Sequence, residues 1–309
     1  MPFALALPCA LSMTHPGCLY VVGTPIGNLG DMTFRAVETL KTVDLIAAED
    51  TRHTGRLLHH FAIGTPQISY HAHNWPQRLP ELLEKLGQGQ RIALVSDAGM
   101  PGISDPGFEL VEACVDAEIP VVPIPGATAA VTALCVSGLL PQPFVFEGFL
   151  PPKGRDRRAQ VQRLAQEPRT VVLYEAPHRL LSTLRDLQME MTSERQVAIA
   201  RELTKQYEEI WRGPLGAAID HYQDRAPRGE FTLVIAGAPA AAPVELSAAL
   251  VQARLQALMA AGLSRSQASR TLAHETQLPR RDLYQVALAL PDPEGSASPG
   301  DGVCEGGGV

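Results

Sequence analysis

The feature that most constrains this chain is an alternation of short β-branched runs with helical patterns, repeated five times between residues 18 and 138. CLYVVG (18–23), VDLIAAED (43–50), ISYH (68–71), RIALVSD (91–97) and VVPIP (121–125) read as strands. Helical patterns over 32–42, 52–61, 78–86, 107–117 and 127–138 follow them in turn. Strands joined through helices need crossover connections, so this half is expected to be an α/β layer structure on a parallel sheet. Pro141 and Pro143 break the pattern and mark a linker.

A second set follows, with strand patterns at 144–150, 170–176, 196–204, 207–213 and 229–237 and helical ones at 156–166, 178–188 and 214–222. Its last strands are closely spaced, which predicts a mixed sheet. Residues 245–290 read as three helices, the last two joined by QLP (277–279) at helix-turn-helix spacing and carrying Arg265, Arg270, Arg280 and Arg281. The expected organisation is an extension at 1–17, an α/β domain at 18–140, a second at 141–240, the helical segment at 245–290 and an acidic tail at 291–309.

Composition narrows the class. The 309 residues are 45% hydrophobic and 19% charged, outside the corner where chains stay unfolded. No apolar run approaches a membrane span. The apolar stretch to Met13 has no positive start and is interrupted by Pro2 and Pro8, so an extension is expected there rather than a secretion signal. Asp292, Glu294, Asp301 and Glu305 in the tail account for more than half of the net charge of −7, leaving the body near neutral with room for a local basic patch. Cys9, Cys18, Cys114, Cys135 and Cys304 form no CxxC pair, so reduced thiols in a cytoplasmic protein are expected, without disulfides or zinc.

Three glycine-rich stretches follow strand patterns, where open α/β sheets place ligands. VVGTPIGNLG (21–30) matches neither GxGxxG nor the phosphate-binding GxxxxGK[ST], and alone reads as a turn. SDAGMPGISDPG (96–107) combines glycines that permit close approach, stiffening prolines, and Asp97 and Asp105 for a cationic or hydroxylated ligand. PIPGATAAVTAL (123–134) runs from a strand into a helix of small residues and offers free N–H groups, although taken alone it reads rather as tight helix–sheet packing.

TPIGNL (24–29), AEDTRHT (48–54), SDAGMPGISDPG, FEGFLP (146–151), YEAPHRL (174–180), ARELTK (200–205) and RGEFTLVIAG (228–237) together resemble the tetrapyrrole methylase superfamily. Within it, TPIGNL and AEDTRHT are similar to the subfamily that 2′-O-methylates a cytidine of 16S rRNA. The resemblance covers roughly residues 18–238, and the helices of 245–290 are similar to that subfamily's small C-terminal region. It implies two consecutive α/β domains with S-adenosylmethionine (SAM) in a cleft between them. The cofactor contacts it implies fall on Ala98, Gly99, Met100 and Ile103, on Thr128 and Ala129, and on Tyr174 and Leu203; Asp97 joins them from the loop reading. Met100 departs from the subfamily's usual Thr and removes a hydroxyl.

A ribose hydroxyl is a weak nucleophile and gains from a proton acceptor. Asp50, Asp97, Asp105, Glu202 and Glu230 are candidate acceptors, and Arg52, Arg201 and Lys205 are candidates for orienting the substrate. Spacing does not choose among them; Asp50, Arg52, Glu202 and Lys205 are carried forward as the catalytic set. Asp50 or Thr51 would equally serve as a helix N-cap. For RNA, Lys153, Arg155, Arg157 and Arg158, with Arg163, Arg169 and Arg179, are expected to contact phosphate, against the alternative of a solvated helix face. His71 and His73 have no convincing third ligand, so no metal is expected. The partners implied are 16S rRNA in the 30S subunit and a second copy of the chain, with no membrane. The competing readings are a tetrapyrrole C-methyltransferase and a non-enzymatic DNA-binding regulator built on 245–290.

Overall fold

The computed structural model describes residues 17–239, 247–276 and 278–291. The expected extension, apart from Gly17, and the expected tail beyond Pro291, with Cys9 and Cys304, lie outside them. The chain divides into two compact units at Ala238/Pro239. Both sheets lie within the first of these units.

The first sheet is made by β1 (Cys18–Val22), β2 (Leu45–Ala48), β3 (Gln67–Ser69), β4 (Arg91–Val95) and β5 (Val121–Ile124). Their order is β3-β2-β4-β1-β5, and every pairing is parallel. Helices α1 (Phe34–Thr42), α2 (Thr51–His60), α3 (Trp75–Gly87), α4 (Phe108–Asp116) and α5 (Ala129–Val136) alternate with the strands. Helix cover on both faces explains why LIAA and IALV are wholly buried apolar runs instead of alternating patterns. From β1 the chain crosses β4 to reach β2, and from β4 it crosses β1 to reach β5. The connections leave two adjacent strands in opposite directions, which makes a topological switch point at the carboxyl ends of β1 and β4. Residues 23–30 and 96–107 emerge there side by side.

The second sheet has the order β6-β7-β10-β8-β9, from Phe144–Phe149, Thr170–Glu175, Phe231–Ile235, Gln196–Arg201 and Glu209–Pro214 respectively. Only β6 and β7 run parallel, so this sheet is mixed. Helices α6 (Gly154–Ala165), α7 (Leu180–Glu190) and α8 (Leu215–Gln223) complete this half. One core includes Leu164, Leu173, Leu184, Leu187, Ile199 and Leu233. A separate one joins α5 to this sheet: Ala130, Ala133 and Leu134 pack with Val172, Ala198, Ala200 and Val234. The small side chains of α5 allow that approach. At its far end, Arg212 of β9 donates through Nε to the carbonyls of Val136 (3.1 Å) and Ser137 (3.2 Å), meeting carbonyls left free at a helix terminus.

The second unit contains α9 (Ala248–Ala260), α10 (Arg265–Thr276) and α11 (Arg280–Ala289) around Leu255, Leu272, Leu283 and Ala287. Ser247 caps α9 through Leu250 N–H. Arg265 donates to the carbonyls of Ala287 and Leu290, and Arg280 to Ser266. Two of the four arginines that suggested DNA contact thus serve the packing of this unit.

Candidate active site

The two loops of the switch point are stitched together. Thr24 N–H donates to Gly99 O at 2.9 Å and Gly99 N–H to Thr24 O at 3.1 Å, forming an isolated antiparallel bridge. Gly99 holds φ at +84°, a left-handed conformation that glycine adopts without a side-chain clash. Gly23 and Gly126 touch along their backbones, where a Cβ on Gly126 would lie 2.8 Å from Gly23 Cα.

A cavity of about 670 Å³ opens between these loops, α5 and the second sheet. From the second loop it takes Asp97, Ala98, Gly99, Met100 and Ile103; from the start of α5, Thr128 and Ala129; from the second sheet and its following loop, Tyr174 and Leu203. These are the nine positions expected around the cofactor. Tyr174 Oη accepts the N–H of Ala130 at 3.2 Å, so the phenol meets one of the free N–H groups at the start of α5. Phe146 and Phe149 pack against the Tyr174 ring, with centroids 5.0 and 5.6 Å away.

The sequence reading did not single out Glu49, which also lines this cavity. Asp97 N–H donates to Glu49 Oε2 and Asp50 N–H donates to Asp97 Oδ1, both at 3.1 Å, tying the ends of β2 and β4 together. Burial pushes the Glu49 carboxyl above its ordinary range. Asp105 is pushed up to about 7 by burial first, then by Glu49; a Ser96 hydrogen bond opposes the rise. Glu49 stood next to Asp50 in the motif, and its place at a strand end was the available signal.

A second cavity of about 260 Å³ adjoins the first and shares Ile26, Asp97, Ala98 and Glu230 with it. TPIGNL supplies one wall, and α2 another through His53, Thr54, Arg56 and Leu57. Lys205 closes it, with Nζ 2.9 Å from Glu202 Oε1 and 3.1 Å from Glu230 Oε2. Glu202 Oε1 also accepts Glu230 N–H. Burial of Glu202 favours its neutral form, but hydrogen bonds from Lys205 and that N–H hold its carboxyl below the usual range. Burial likewise opposes charge on Lys205, yet the two carboxylates raise its pKa. Glu202 and Thr204 have φ of 50° and 67°, a backbone conformation side chains rarely adopt and one that clusters at functional sites.

The other half of the catalytic set is placed differently. Asp50 and Arg52 line neither cavity. Asp50 caps α2 through Arg52 N–H and pairs with the Arg52 guanidinium at 2.6 Å, which holds its carboxyl well below the usual carboxylate range. The N-cap reading therefore describes Asp50, and its partner reaches into solvent.

The basic stretch also needs correction. Arg157 is buried, donating to Asp186 (2.7 Å), Thr183 (2.8 Å) and the Pro151 carbonyl (3.1 Å). It cannot meet phosphate from there, because its guanidinium faces the seam between α6 and α7. Arg163, Arg169 and Arg179 are paired with Glu147, Glu167 and Glu175. Lys153, Arg155 and Arg158 remain exposed. His71 Nδ1 accepts the His73 N–H within a turn, and among the described residues no group of three or more His, Cys, Asp or Glu is arranged to hold a metal. None of the described helices is long and apolar enough to cross a membrane.

A parallel sheet and a mixed sheet, with two adjoining cavities at a switch point, define an α/β fold of the kind found in methyltransferases. The chain belongs to the family of tetrapyrrole (corrin/porphyrin) methylases, whose model matches residues 18–219. It is 63% identical over 274 residues to a ribosomal RNA small subunit methyltransferase I from Synechocystis sp., covering 89% of this chain and 98% of that protein. A protein of the same name from Streptococcus pyogenes is 48% identical, over 87% and 94% of the two chains. In fold, the chain is similar to a uroporphyrin-III C-methyltransferase from Thermus thermophilus complexed with S-adenosylhomocysteine. That likeness has a TM-score of 0.53 and 17% identity, over 71% of this chain and 97% of the other.

Proposed function

We propose that this chain transfers a methyl group from SAM to the ribose 2′-hydroxyl of a cytidine in 16S rRNA. The observation that carries this reading is the meeting of two cavities along one wall of Ile26, Asp97, Ala98 and Glu230. Its substrate class is supported by the 63% identical relative named above.

The residues of the large cavity fit SAM. Ile103, Val131, Phe146 and Leu203 offer apolar surface for an adenine ring, while Asp97 and Glu49 offer carboxylates to ribose hydroxyls or an ammonium group. Met100 supplies its thioether and backbone where the subfamily's usual Thr would supply a hydroxyl. SAM, when bound, supplies an electrophilic methyl group carried on a sulfonium.

The protein's own task is alignment and proton removal. Asp105, with a carboxyl near 7, is matched to accept the hydroxyl proton at neutral pH. Lys205, fixed between Glu202 and Glu230, orients the hydroxyl from the smaller cavity and favours the developing negative charge. Asp50 acts at one remove, by capping the helix that brings His53 and Arg56 to that cavity. Lys153, Arg155 and Arg158 hold RNA phosphate. The working form is a homodimer in the cytoplasm acting on the assembled 30S subunit.

The test is transfer of labelled methyl to unmethylated 30S subunits, with free 16S rRNA and a uroporphyrinogen as parallel substrates. Label recovered as 2′-O-methylcytidine from the 30S sample is the expected result. Label in the tetrapyrrole and none in RNA would overturn the reading. Light scattering of the purified protein at twice the chain mass is expected for the dimer.

A further inference from the structure

The smaller cavity shares only Ile26, Asp97, Ala98 and Glu230 with the larger one, and its remaining walls have a chemistry of their own. Pro25, Ile26, Leu29 and Leu57 give it apolar faces. Its polar groups are of both kinds: Arg56 and Lys205 donate, while Glu230 and Asp97 accept. Thr24 is already committed, since its hydroxyl donates to Ser96 O at 3.1 Å.

His53 and Arg56 stand one turn apart on the exposed side of α2. Neither side chain has a hydrogen-bond or ion-pair partner among the described residues, whereas Arg52 on the same helix is paired with Asp50. An unpaired guanidinium at a cavity mouth that already holds carboxylates points outward to an anion. A planar ring with donors and acceptors on its edge, attached to a sugar and an anionic linkage, satisfies every wall at once. That is the description of a nucleotide.

We propose that the smaller cavity seats the target nucleotide turned out of its RNA strand. The base lies between the apolar walls of TPIGNL and α2, the ribose at the shared wall of Asp97 and Glu230, and the adjoining phosphate on Arg56. Taking the base out of its stack is the general solution when an enzyme must reach one nucleotide within a structured strand. This inference rests on the RNA methyltransferase reading above.

The experiment is steady-state kinetics on unmethylated 30S subunits for the wild-type chain, Arg56→Ala, Arg56→Lys and Leu29→Trp, with calorimetric SAM affinity for each. Leu29 is 41% exposed, so an indole there reaches into the cavity without disturbing a core. Arg56→Ala is expected to raise KM for the subunit about tenfold, the loss of one phosphate contact, with partial recovery in Arg56→Lys. Leu29→Trp is expected to lower kcat/KM at least as much, and SAM affinity is expected to stay within twofold throughout. Wild-type kinetics in both Arg56→Ala and Leu29→Trp would overturn the proposal. So would a loss of SAM affinity that follows the loss of activity, because the cavity would then belong to the cofactor. A wild-type chain that methylates no RNA would overturn the functional reading itself, an outcome visible before any variant is compared.

Discussion

Thr24 and Gly99 exchange two backbone hydrogen bonds across the switch point, so the loops after β1 and β4 move as one piece. The joint holds Ile26 and Ala98, which both cavities share, in register with each other. Its weak spot is Gly99, whose φ of +84° an L side chain resists. Gly99→Ala meets no atom closer than 3.6 Å, so strain is the only cost, about 1 kcal/mol. The expected outcome is a melting temperature lowered by about 2–4 °C with a weaker calorimetric SAM affinity. An unchanged melting point would refute the strain argument.

Lys205 is the cation between Glu202 and Glu230. Lys205→Ala leaves two carboxylates facing each other and removes one of the two cations, Lys205 and Arg56, that line the smaller cavity. A fall in kcat of about a hundredfold is expected, with SAM affinity within twofold of wild type. Single-turnover methylation of 30S subunits separates this from slow product release.

Asp105 links activity and stability to pH in opposite directions. Its folded-state pKa is raised, to about 7, so it binds a proton more tightly when folded than when unfolded. Its contribution to stability is complete below the unfolded carboxyl pKa of about 3.9 and is lost as pH rises through about 7. Asp105→Asn is therefore expected to melt higher than wild type at pH 8. Over the same range, wild-type kcat is expected to rise with an apparent pKa near 7, and the variant to lose both the rise and most of its activity. A variant with wild-type kcat would remove Asp105 from proton transfer.

Arg157 and its neighbours separate folding from RNA contact. Arg157→Ala breaks a pair of which Asp186 remains 38% exposed, so the expected destabilisation is about 2 kcal/mol, below that of a fully buried pair. Denaturant unfolding measures it. The triple change Lys153→Ala, Arg155→Ala and Arg158→Ala is expected to leave the midpoint in place and to reduce the salt dependence of 30S binding. The reverse assignment of effects would mean that the seam and the surface had been confused.

Much of the framework can be read from residues. The apolar runs at 18–22, 45–48 and 92–95 carry strand propensity, and the prolines and glycines after β1 and β4 mark the loops that line the cavities. Arg157 could have been placed as well: with Val161 and Leu164 it follows i, i+4, i+7 spacing, the signature of an inward helix face, which the surrounding charges obscured. The acid cluster was less accessible. Glu49 and Asp105 sit on different connections, and only the strand order β2-β4 brings them close enough to repel. The same holds for Lys205 and Glu230, which meet because β8 and β10 are antiparallel neighbours. Pairings of that kind depend on topology, which local spacing does not encode.

Helix α5 is held at both ends by the other half of the enzyme. Tyr174 takes its first turn and Arg212 its last, along a rod of eight residues, about 12 Å. A hinge opening between the sheets would have to break both attachments and expose the alanine face between them. At the rim of the large cavity, by contrast, Ile103 and Phe149 stand half in solvent. Side chains so placed change rotamer on the fast timescale of surface residues, a movement that leaves both attachments of α5 intact.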